Sequence, residues 1–498
     1  MSTPSLPSAV PQLEMHHPDA AVVTAAMPDD PQSALVSPPI TIAPHPTLRT
    51  TPPAADAPPQ PPEAAVTVEP APTTAPPQRL APQEVRKALR ISTLEGAVAN
   101  IHISITGSVG GSVFLTGFAI LLGANSFQLG ILGALPFIGQ LFQFVGAYLE
   151  ERIGTRRNLV LYNALGARLI WAVLLALPFL SFLTGSQILL FFFVGLALTY
   201  ALNGIATNAW LSWMSDLVPP RRRGSYFGMR NTVAAITAMA SAFLAGLALD
   251  HFRDQGSEAL GYAVVFGVAV ISAIIAAALL ARQAEPPLQS RPRTSLGEMV
   301  GGPLRDRPFR SFILASTAWA LVIGISAPFF NAYGLTTLQI NFATLSLMGI
   351  VTSAVSLIFA PLVGRLQDTF GSRRIITGCV LGTVFLPWGW VAATPGNLMP
   401  IWIASIFTGV FWPGLTQGLA NVLMDRAPTL ARSSAIAAYG ALTGFGTLVA
   451  GLLGGALAMG LAESQLLVGS LSISGIAFLF VFTSMGRVVM AIIFWRTL

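Results

Sequence analysis

The sequence predicts an all-α membrane protein whose twelve helices form two related six-helix halves. Hydrophobic residues make up 53% of the 498-residue chain and charged residues only 10%, which is too apolar a composition for a soluble globular protein. After Arg86, apolar runs of about 20 residues follow one another, as helices that cross a bilayer require. Two short motifs each occur twice, 217 and 209 residues apart, which indicates a duplicated unit.

Twelve apolar runs are long enough to cross a bilayer, and we number them spans 1 to 12. They cover residues 93–121, 126–149, 159–181, 187–213, 226–249, 260–281, 309–334, 340–366, 374–393, 399–424, 432–459 and 466–487.

The loops between the spans alternate in charge. Those after spans 1, 3, 7, 9 and 11 contain no Lys or Arg, and the loop after span 5 contains only Arg253, beside three acids. Every other loop between spans is basic. Because basic loops remain in the cytoplasm, the alternation predicts a multi-pass protein of the cell membrane with both termini cytoplasmic.

The N-terminal segment differs in composition from the rest of the chain. Its first 84 residues contain 21 of the 37 prolines. Such a segment cannot bury enough apolar surface to fold, so residues 1–85 are predicted to be a disordered cytoplasmic tail, either passive or a Pro-rich ligand for a partner. We expect an N-terminal bundle over 86–282, a cytoplasmic connector over 283–308 and a C-terminal bundle over 309–498.

The first duplicated motif is a tight turn after spans 2 and 8. Its copies are GAYLEERIGTRR (146–157) and GRLQDTFGSRR (364–374), each with an acid three residues before a glycine and an arginine pair after it. A glycine lets the backbone turn sharply, and the acid can accept hydrogen bonds from the N-terminus of a neighbouring helix. The motif residues are Glu151, Gly154, Arg156 and Arg157 in the first copy, and Asp368, Gly371, Arg373 and Arg374 in the second.

The second duplicated motif follows spans 4 and 10. Asp216, Pro219 and Arg223 in DLVPPRRRGS recur with the same spacing in DRAPTLARSS. The matching residues are Asp425, Pro428 and Arg432. We interpret ten residues of the two motifs as gating residues at the cytoplasmic side, namely Glu151, Gly154, Arg156, Asp216 and Arg223 in the first half and Asp368, Gly371, Arg373, Asp425 and Arg432 in the second. The alternative is that the arginines only determine topology.

These features together resemble the major facilitator superfamily of secondary transporters. The resemblance rests on twelve spans in two halves, a longer central connector and a G-x-L-x-D-x-x-G-x-R-R turn, and it covers residues 86–498. The second turn matches well, whereas the first has Ala147 and Glu151 where the family usually has Gly and Asp.

The resemblance implies a major facilitator fold and a secondary active transporter that moves a small organic solute by alternating access. It also implies two contacts between the halves when the cytoplasmic side is closed. Glu151 would then approach the start of span 11 at Arg432 and Ser433. Asp368 would approach the start of span 5 at Ser225 and Tyr226.

Polar residues within the spans are the candidates for substrate binding, because such residues are costly in hydrocarbon unless they face a partner or water. The resemblance implies that spans 1, 4, 7 and 10 line a central cavity. An offset of 209 residues pairs polar or aromatic residues of spans 4 and 10 at matched depths, which favours a site near the midplane. The candidates are Asn100, His102, Asn203, Asn208, Trp319, Trp412, Gln417 and Asn421.

Three ionisable residues of the spans, Glu95, His102 and Arg168, are candidates for a role that depends on their charge. Glu95 and His102 are seven residues apart on one face of span 1 and are candidates for proton coupling. Alternatively, Glu95 reaches the aqueous boundary and His102 only bonds a backbone carbonyl. Arg168 in span 3 forms either a structural pair between helices or a substrate contact. The scarcity of buried charge favours a neutral, amphipathic or weakly charged solute.

Several other classes of protein are disfavoured. The single cysteine, Cys379, excludes a Cys-rich metal site, and the spans contain no nucleophile–base constellation or metal-ligand spacing, so we expect no enzyme, metal or cofactor. The net charge of +6 comes mainly from basic residues in the loops beside the spans. This position indicates that they orient the helices in the membrane and do not bind nucleic acid. The expected partners are the lipid bilayer and a small-molecule substrate, with the chain as a monomer.

The alternative function is a non-transporting member of the same fold. Such a protein would serve as an assembly or scaffold factor for another membrane complex, and the Pro-rich tail would suit that role.

Overall fold

The computed structural model describes residues 80–107, 112–286, 305–427, 432–468 and 471–498. Most of the predicted tail and of the predicted connector lies outside these ranges. The described chain is all-α apart from one two-stranded hairpin.

The N-terminal half contains spans 1 to 6. Span 1 consists of the helices Pro82–Thr106 and Val113–Leu121, span 2 of Ser126–Ala134 and Pro136–Ile153, and span 3 of Arg156–Leu174 with the 3₁₀ turn Leu177–Phe179. Span 4 is Gly185–Leu217, span 5 is Arg223–Asp254 after the 3₁₀ turn Pro220–Arg222, and span 6 is Glu258–Ala281.

The C-terminal half contains spans 7 to 12. Span 7 consists of Arg307–Ser326 and Phe329–Thr336, span 8 of Phe342–Phe370, and span 9 of Ser372–Thr383 and Leu386–Val391. Span 10 is Met399–Arg426, span 11 is Arg432–Gly460 and span 12 is Ala477–Thr497. Between spans 11 and 12, strand β1 (Gln465–Val468) pairs antiparallel with strand β2 (Leu471–Ser474). Within the described ranges, eleven helical segments are long and apolar enough to cross a membrane, and they correspond to spans 2 to 12.

The predicted limits of span 1 were wrong at its start. The helix begins at Pro82 rather than at residue 93, because a proline fits the first turn of a helix and Glu84 bonds back to the N–H of Ala81 at 3.1 Å. The helix is also interrupted. It ends at Thr106, where Gly107 adopts a left-handed φ of 68°. Span 7 is broken in the same place of the duplicated unit, before Pro328.

The predicted limits of span 12 were also wrong. Residues 466–468 and 471–474 belong to the two strands of the hairpin, and the helix begins at Ala477 and continues ten residues beyond Arg487. A short apolar run fits a strand as well as a helix, so periodicity could not separate them. Arg487, taken as the end of the span, is buried inside it and donates to the carbonyl of Thr383 in span 9.

We call the span ends that are predicted to face the cytoplasm inner and the opposite ends outer. The two halves pack against each other through their outer ends. Gly130 of span 2 lies directly against the backbone of Gly451 and Gly455 of span 11, and Phe114 of span 1 stacks on Phe342 of span 8 with ring centroids 6.2 Å apart. Where these glycines bring the backbones of spans 2 and 11 into contact, there is no room for a side chain.

Candidate functional site

The inner end of the N-terminal half is held by Arg156. Its side chain is fully buried, and Nη1 donates to the Asp216 carboxylate at 2.6 Å and to the Ser212 carbonyl at 3.2 Å. Nη2 donates to the Pro286 carbonyl at 2.8 Å, and the backbone N–H donates to Glu285 at 2.6 Å. One arginine of the first duplicated motif therefore joins the turn after span 2, the end of span 4 and the start of the connector.

The C-terminal half does not repeat this pair. Arg373 lies over the ring of Trp495, with 4.4 Å between the guanidinium carbon and the ring centroid. Asp425 is exposed and has no ion-pair partner among the residues that the structure describes. Arg223, which matches Arg432, donates to the carbonyls of Ser215 and Val218 and so closes the last turn of span 4.

A different contact is repeated in both halves. Glu150, one residue before Glu151, is buried and accepts a hydrogen bond from Ser212 of span 4. At the matching positions, Gln367 is buried and its Oε1 accepts from Asn421 of span 10 at 2.9 Å. The offset of 209 residues aligns Ser212 with Asn421. The sequence analysis did not select their partners, Glu150 and Gln367, although each directly precedes the acid of the turn motif.

Asp368 of the second turn does not contact Ser225 or Tyr226 at the start of span 5 in this conformation. Asp368 is exposed, whereas the hydroxyl of Ser225 donates to the Arg222 carbonyl and that of Tyr226 to the Leu89 carbonyl, all within the N-terminal half. The side chains of Glu151 and Arg432 lie outside the described part of the structure. Gly154 and Gly371 have φ values of 71° and 82°, a backbone region that favours glycine.

At the outer end, an acid does bridge the halves. Asp250, near the end of span 5, accepts hydrogen bonds from the backbone N–H groups of Phe342 and Ala343, each at 2.8 Å. These are the first residues of span 8, so the carboxylate meets the positive end of the helix dipole. Arg253 lies over the Phe342 ring at 5.9 Å. The contact between an acid and a helix N-terminus, expected at the inner ends of the spans, is therefore present at the outer ends.

A cavity of about 570 Å³ lies within the N-terminal half, lined by residues of spans 1 to 5. Five of the sequence-predicted residues line it, namely Glu95, Asn100, His102, Arg168 and Asn203. Trp210, Arg230, Gln140 and Gln143 also line it. The sequence analysis did not select Arg230, which is the fifth residue of the predicted span 5 and so lies near its predicted inner boundary.

Three charged side chains form a cluster in the wall of this cavity. Glu95 of span 1 lies between Arg168 of span 3 at 3.8 Å and Arg230 of span 5 at 3.3 Å. Arg168 also donates to the Ala273 carbonyl of span 6 at 2.9 Å, and Arg230 lies 4.5 Å from the ring centroid of Trp210 in span 4. The cluster thus joins five of the six spans of this half.

His102 is buried on the same face of span 1. Its Nδ1 lies 3.2 Å from the Ala269 carbonyl of span 6, and its ring meets Trp171 edge-on. Because a carbonyl can only accept, Nδ1 carries the proton. Glu95 and His102 therefore share one cavity, with Glu95 in an ion cluster and His102 bonded to backbone.

The remaining predicted residues lie elsewhere. Asn208 faces Gly146 of span 2, and Trp319 is buried in the C-terminal core against Phe494. Trp412 packs against that same core. Gln417 lies near Gly364, and Asn421 bonds Gln367. The structure thus brings together the candidates of span 1 with Asn203, and does not join them to those of spans 7 and 10.

Comparison with known proteins agrees with this architecture. The family model of the Major Facilitator Superfamily matches residues 101–450. No curated protein matches the sequence. Solved structures share the fold at low identity. A mutant of the nucleoside transporter NupG has a TM-score of 0.65 at 10% identity, covering 82% of this chain and 99% of its own. A bacterial homologue of the lysosomal transporter Spinster, inward-facing and unoccupied, has 0.59 at 15%, covering 84% and 98%.

A bacterial homologue of the iron transporter ferroportin, in an inward-facing state, has a TM-score of 0.59 at 14% identity, covering 84% of this chain and 99% of its own. The match of the family model spans well over half of the sequence. The chain belongs to the major facilitator superfamily, and it is a multi-pass membrane protein of a family of transporters.

The Arg156–Asp216 pair provides a test of the inner-end contacts. Asp216→Asn leaves a fully buried guanidinium with a weaker partner, so we expect it to lower the free energy of unfolding by about 2–4 kcal/mol. The matched control is Asp425→Asn, which removes the equivalent exposed acid and should change stability by less than about 0.5 kcal/mol. Thermal unfolding of the detergent-solubilised protein measures both. Equal losses in the two variants would contradict the asymmetry described above.

Proposed function

We propose that this protein is a secondary carrier that moves a small organic solute across the cell membrane by alternating access. The fold and family supply the two-half architecture that such a mechanism requires. The observation that carries the proposal is the contrast between the two ends of the molecule. Asp250 joins the halves at the outer end, whereas Asp368 is free of its expected partner at the inner end.

This contrast supports an inward-open conformation. The outer contacts are the kind that can be made and broken as a unit, because they combine one helix cap, glycine contacts between backbones and side chains packed around the ring of Phe342. In the opposite state, Asp368 and Glu151 would cap spans 5 and 11 in place of the contact between Asp250 and span 8. An acid at a helix N-terminus would then hold each closed end.

The charged cavity favours a carrier over an assembly factor. A scaffold protein needs rigid surfaces, and it gains nothing from an ion cluster that faces an open space of about 570 Å³ in its interior. Buried charges are costly and in membrane proteins commonly mark a pathway for a substrate or ion. The same cavity contains Glu95 and His102, so we also propose that these two residues couple transport to protons.

The proposed activity can be measured before the solute is known. Proteoliposomes would be loaded with a low-molecular-mass cell extract, and mass spectrometry would identify the compounds that leave them. We expect at least one compound to be released faster than from protein-free liposomes and from liposomes with a Gly130→Leu variant, which separates spans 2 and 11. Release at the same rate in all three preparations would favour the assembly-factor alternative.

The proton-coupling proposal predicts a change in pH dependence. Arg168 and Arg230 face Glu95 from spans 3 and 5, and His102 lies two turns along the same helix. Replacing Glu95 and His102 together by Gln removes the groups that could take up a proton. Uptake driven by a pH gradient should then become independent of pH, while exchange against preloaded solute continues. An unchanged pH profile would remove both residues from the coupling mechanism.

If Asp250 and Asp368 hold opposite ends closed, replacing each by Asn should change the accessibility of the inner side in opposite directions. The probe is Asn421→Cys in a Cys379→Ser background, labelled from the inner side. Asp250→Asn weakens the outer cap and should slow labelling several-fold, because hydrogen bonds to a charged acceptor contribute about 1.5–3 kcal/mol. Asp368→Asn weakens the other state and should accelerate labelling, as should Glu151→Gln.

Asp254→Asn is the matched control for the outer gate. Asp254 is an exposed acid one turn further along span 5, and the labelling rate should remain at the wild-type value. If Asp250→Asn and Asp368→Asn changed the rate in the same direction, the acids would not act as opposing gates.

A further inference from the structure

The cavity of the N-terminal half is not electrically balanced. One carboxylate, Glu95, faces two guanidinium groups, those of Arg168 and Arg230. Among the described residues, no other carboxylate lies within 4.0 Å of either guanidinium. His102 can add only positive charge. The cluster therefore contains one cation more than its own acid can neutralise.

The contacts within the cluster are also loose. The nitrogen–oxygen distances of 3.3 and 3.8 Å exceed the roughly 2.7–2.9 Å of a strong charge-assisted hydrogen bond. Glu95 meets Arg168 through Oε1 and Arg230 through Oε2, and neither contact reaches the distance of a strong charge-assisted hydrogen bond. A buried ion pair with such contacts recovers little of the cost of removing its charges from water. A second anion would supply what the cluster lacks.

Both arginines are held in place by other groups. Arg168 donates to the Ala273 carbonyl at 2.9 Å, and Arg230 donates to the Ser92 carbonyl at 3.3 Å while its guanidinium lies over Trp210. Their side chains are only 11% and 13% exposed, and both line the cavity. The two guanidinium groups are therefore oriented before any ligand enters, which reduces the entropic cost of binding.

We propose that the transported solute carries an acidic group, a carboxylate or a phosphate, that binds between Arg168 and Arg230 in competition with Glu95. This inference rests on the proposed transport function and specifies its substrate class. The sequence had favoured a neutral or weakly charged solute because buried charge is scarce overall, but three charged side chains of different spans, Glu95, Arg168 and Arg230, meet in the wall of this one cavity. When the acid binds, Glu95 is released from the arginines.

The test measures ligand binding to the purified full-length protein through its melting temperature. A low-molecular-mass cell extract would be divided by anion exchange into an acidic pool and a remaining pool, and each would be titrated. We expect the acidic pool to raise the melting temperature. In Arg230→Gln and Arg168→Gln, the amount of pool that gives half of the shift should increase about tenfold. Arg221→Gln, an exposed arginine of the loop after span 4, is the control.

Glu95→Gln distinguishes competition from a purely structural cluster, and it remains informative if an arginine variant does not fold. Removing the competing carboxylate should make the acidic pool several-fold more effective, whereas a cluster that only joins helices would be weakened by all three substitutions. Phosphatase treatment of the acidic pool then separates the two chemistries. A shift that survives treatment indicates a carboxylate, and a shift that is lost indicates a phosphate ester.

Each other outcome has one meaning. Stabilisation by the remaining pool alone, or a shift by the acidic pool that is unaltered in both arginine variants, would overturn the acidic-group proposal and leave the transport function in place. Stabilisation by neither pool would remove both, since a carrier must bind its solute.

Discussion

A charge that leaves water must meet an opposite charge or a dipole, and this requirement governs where the polar residues of the protein lie. Arg156 is fully buried because Asp216, Glu285 and two backbone carbonyls surround it. Arg487 is buried in the other half against the Thr383 carbonyl. In the cavity, the requirement is met only partly, since two arginines share Glu95.

The duplicated halves keep their helices but differ in chemistry. Both halves connect the turn after the second span to the fourth span, through Glu150 with Ser212 and through Gln367 with Asn421. The ion pair of Arg156 is not repeated, because Arg373 packs on Trp495 instead. The charged cluster of the cavity lies in the N-terminal half, so the two halves differ in where their charged side chains meet.

Under the proposed alternating access, the seam between the halves would allow two conformations to be close in energy. Helix-cap hydrogen bonds and glycine contacts are modest individually, and the proposal places the same types of contact at the inner ends of spans 2, 5, 8 and 11. Closing one end would then replace contacts at the other with chemically similar ones. A ligand in the cavity would need only a small preference for one state to shift the population.

The sequence by itself determined the fold class and the succession of membrane-spanning helices in two related halves, because these follow from apolar length, loop charge and motif spacing. It also selected Glu95, His102 and Asn203, since a polar residue in an apolar run is conspicuous. Tertiary structure decided the rest. The burial of Arg487 depends on span 9, and the role of Arg230 depends on Glu95 and Trp210, which are 135 and 20 residues away. Contacts between distant residues leave no local pattern, so only the packed helices reveal which charges face the cavity together.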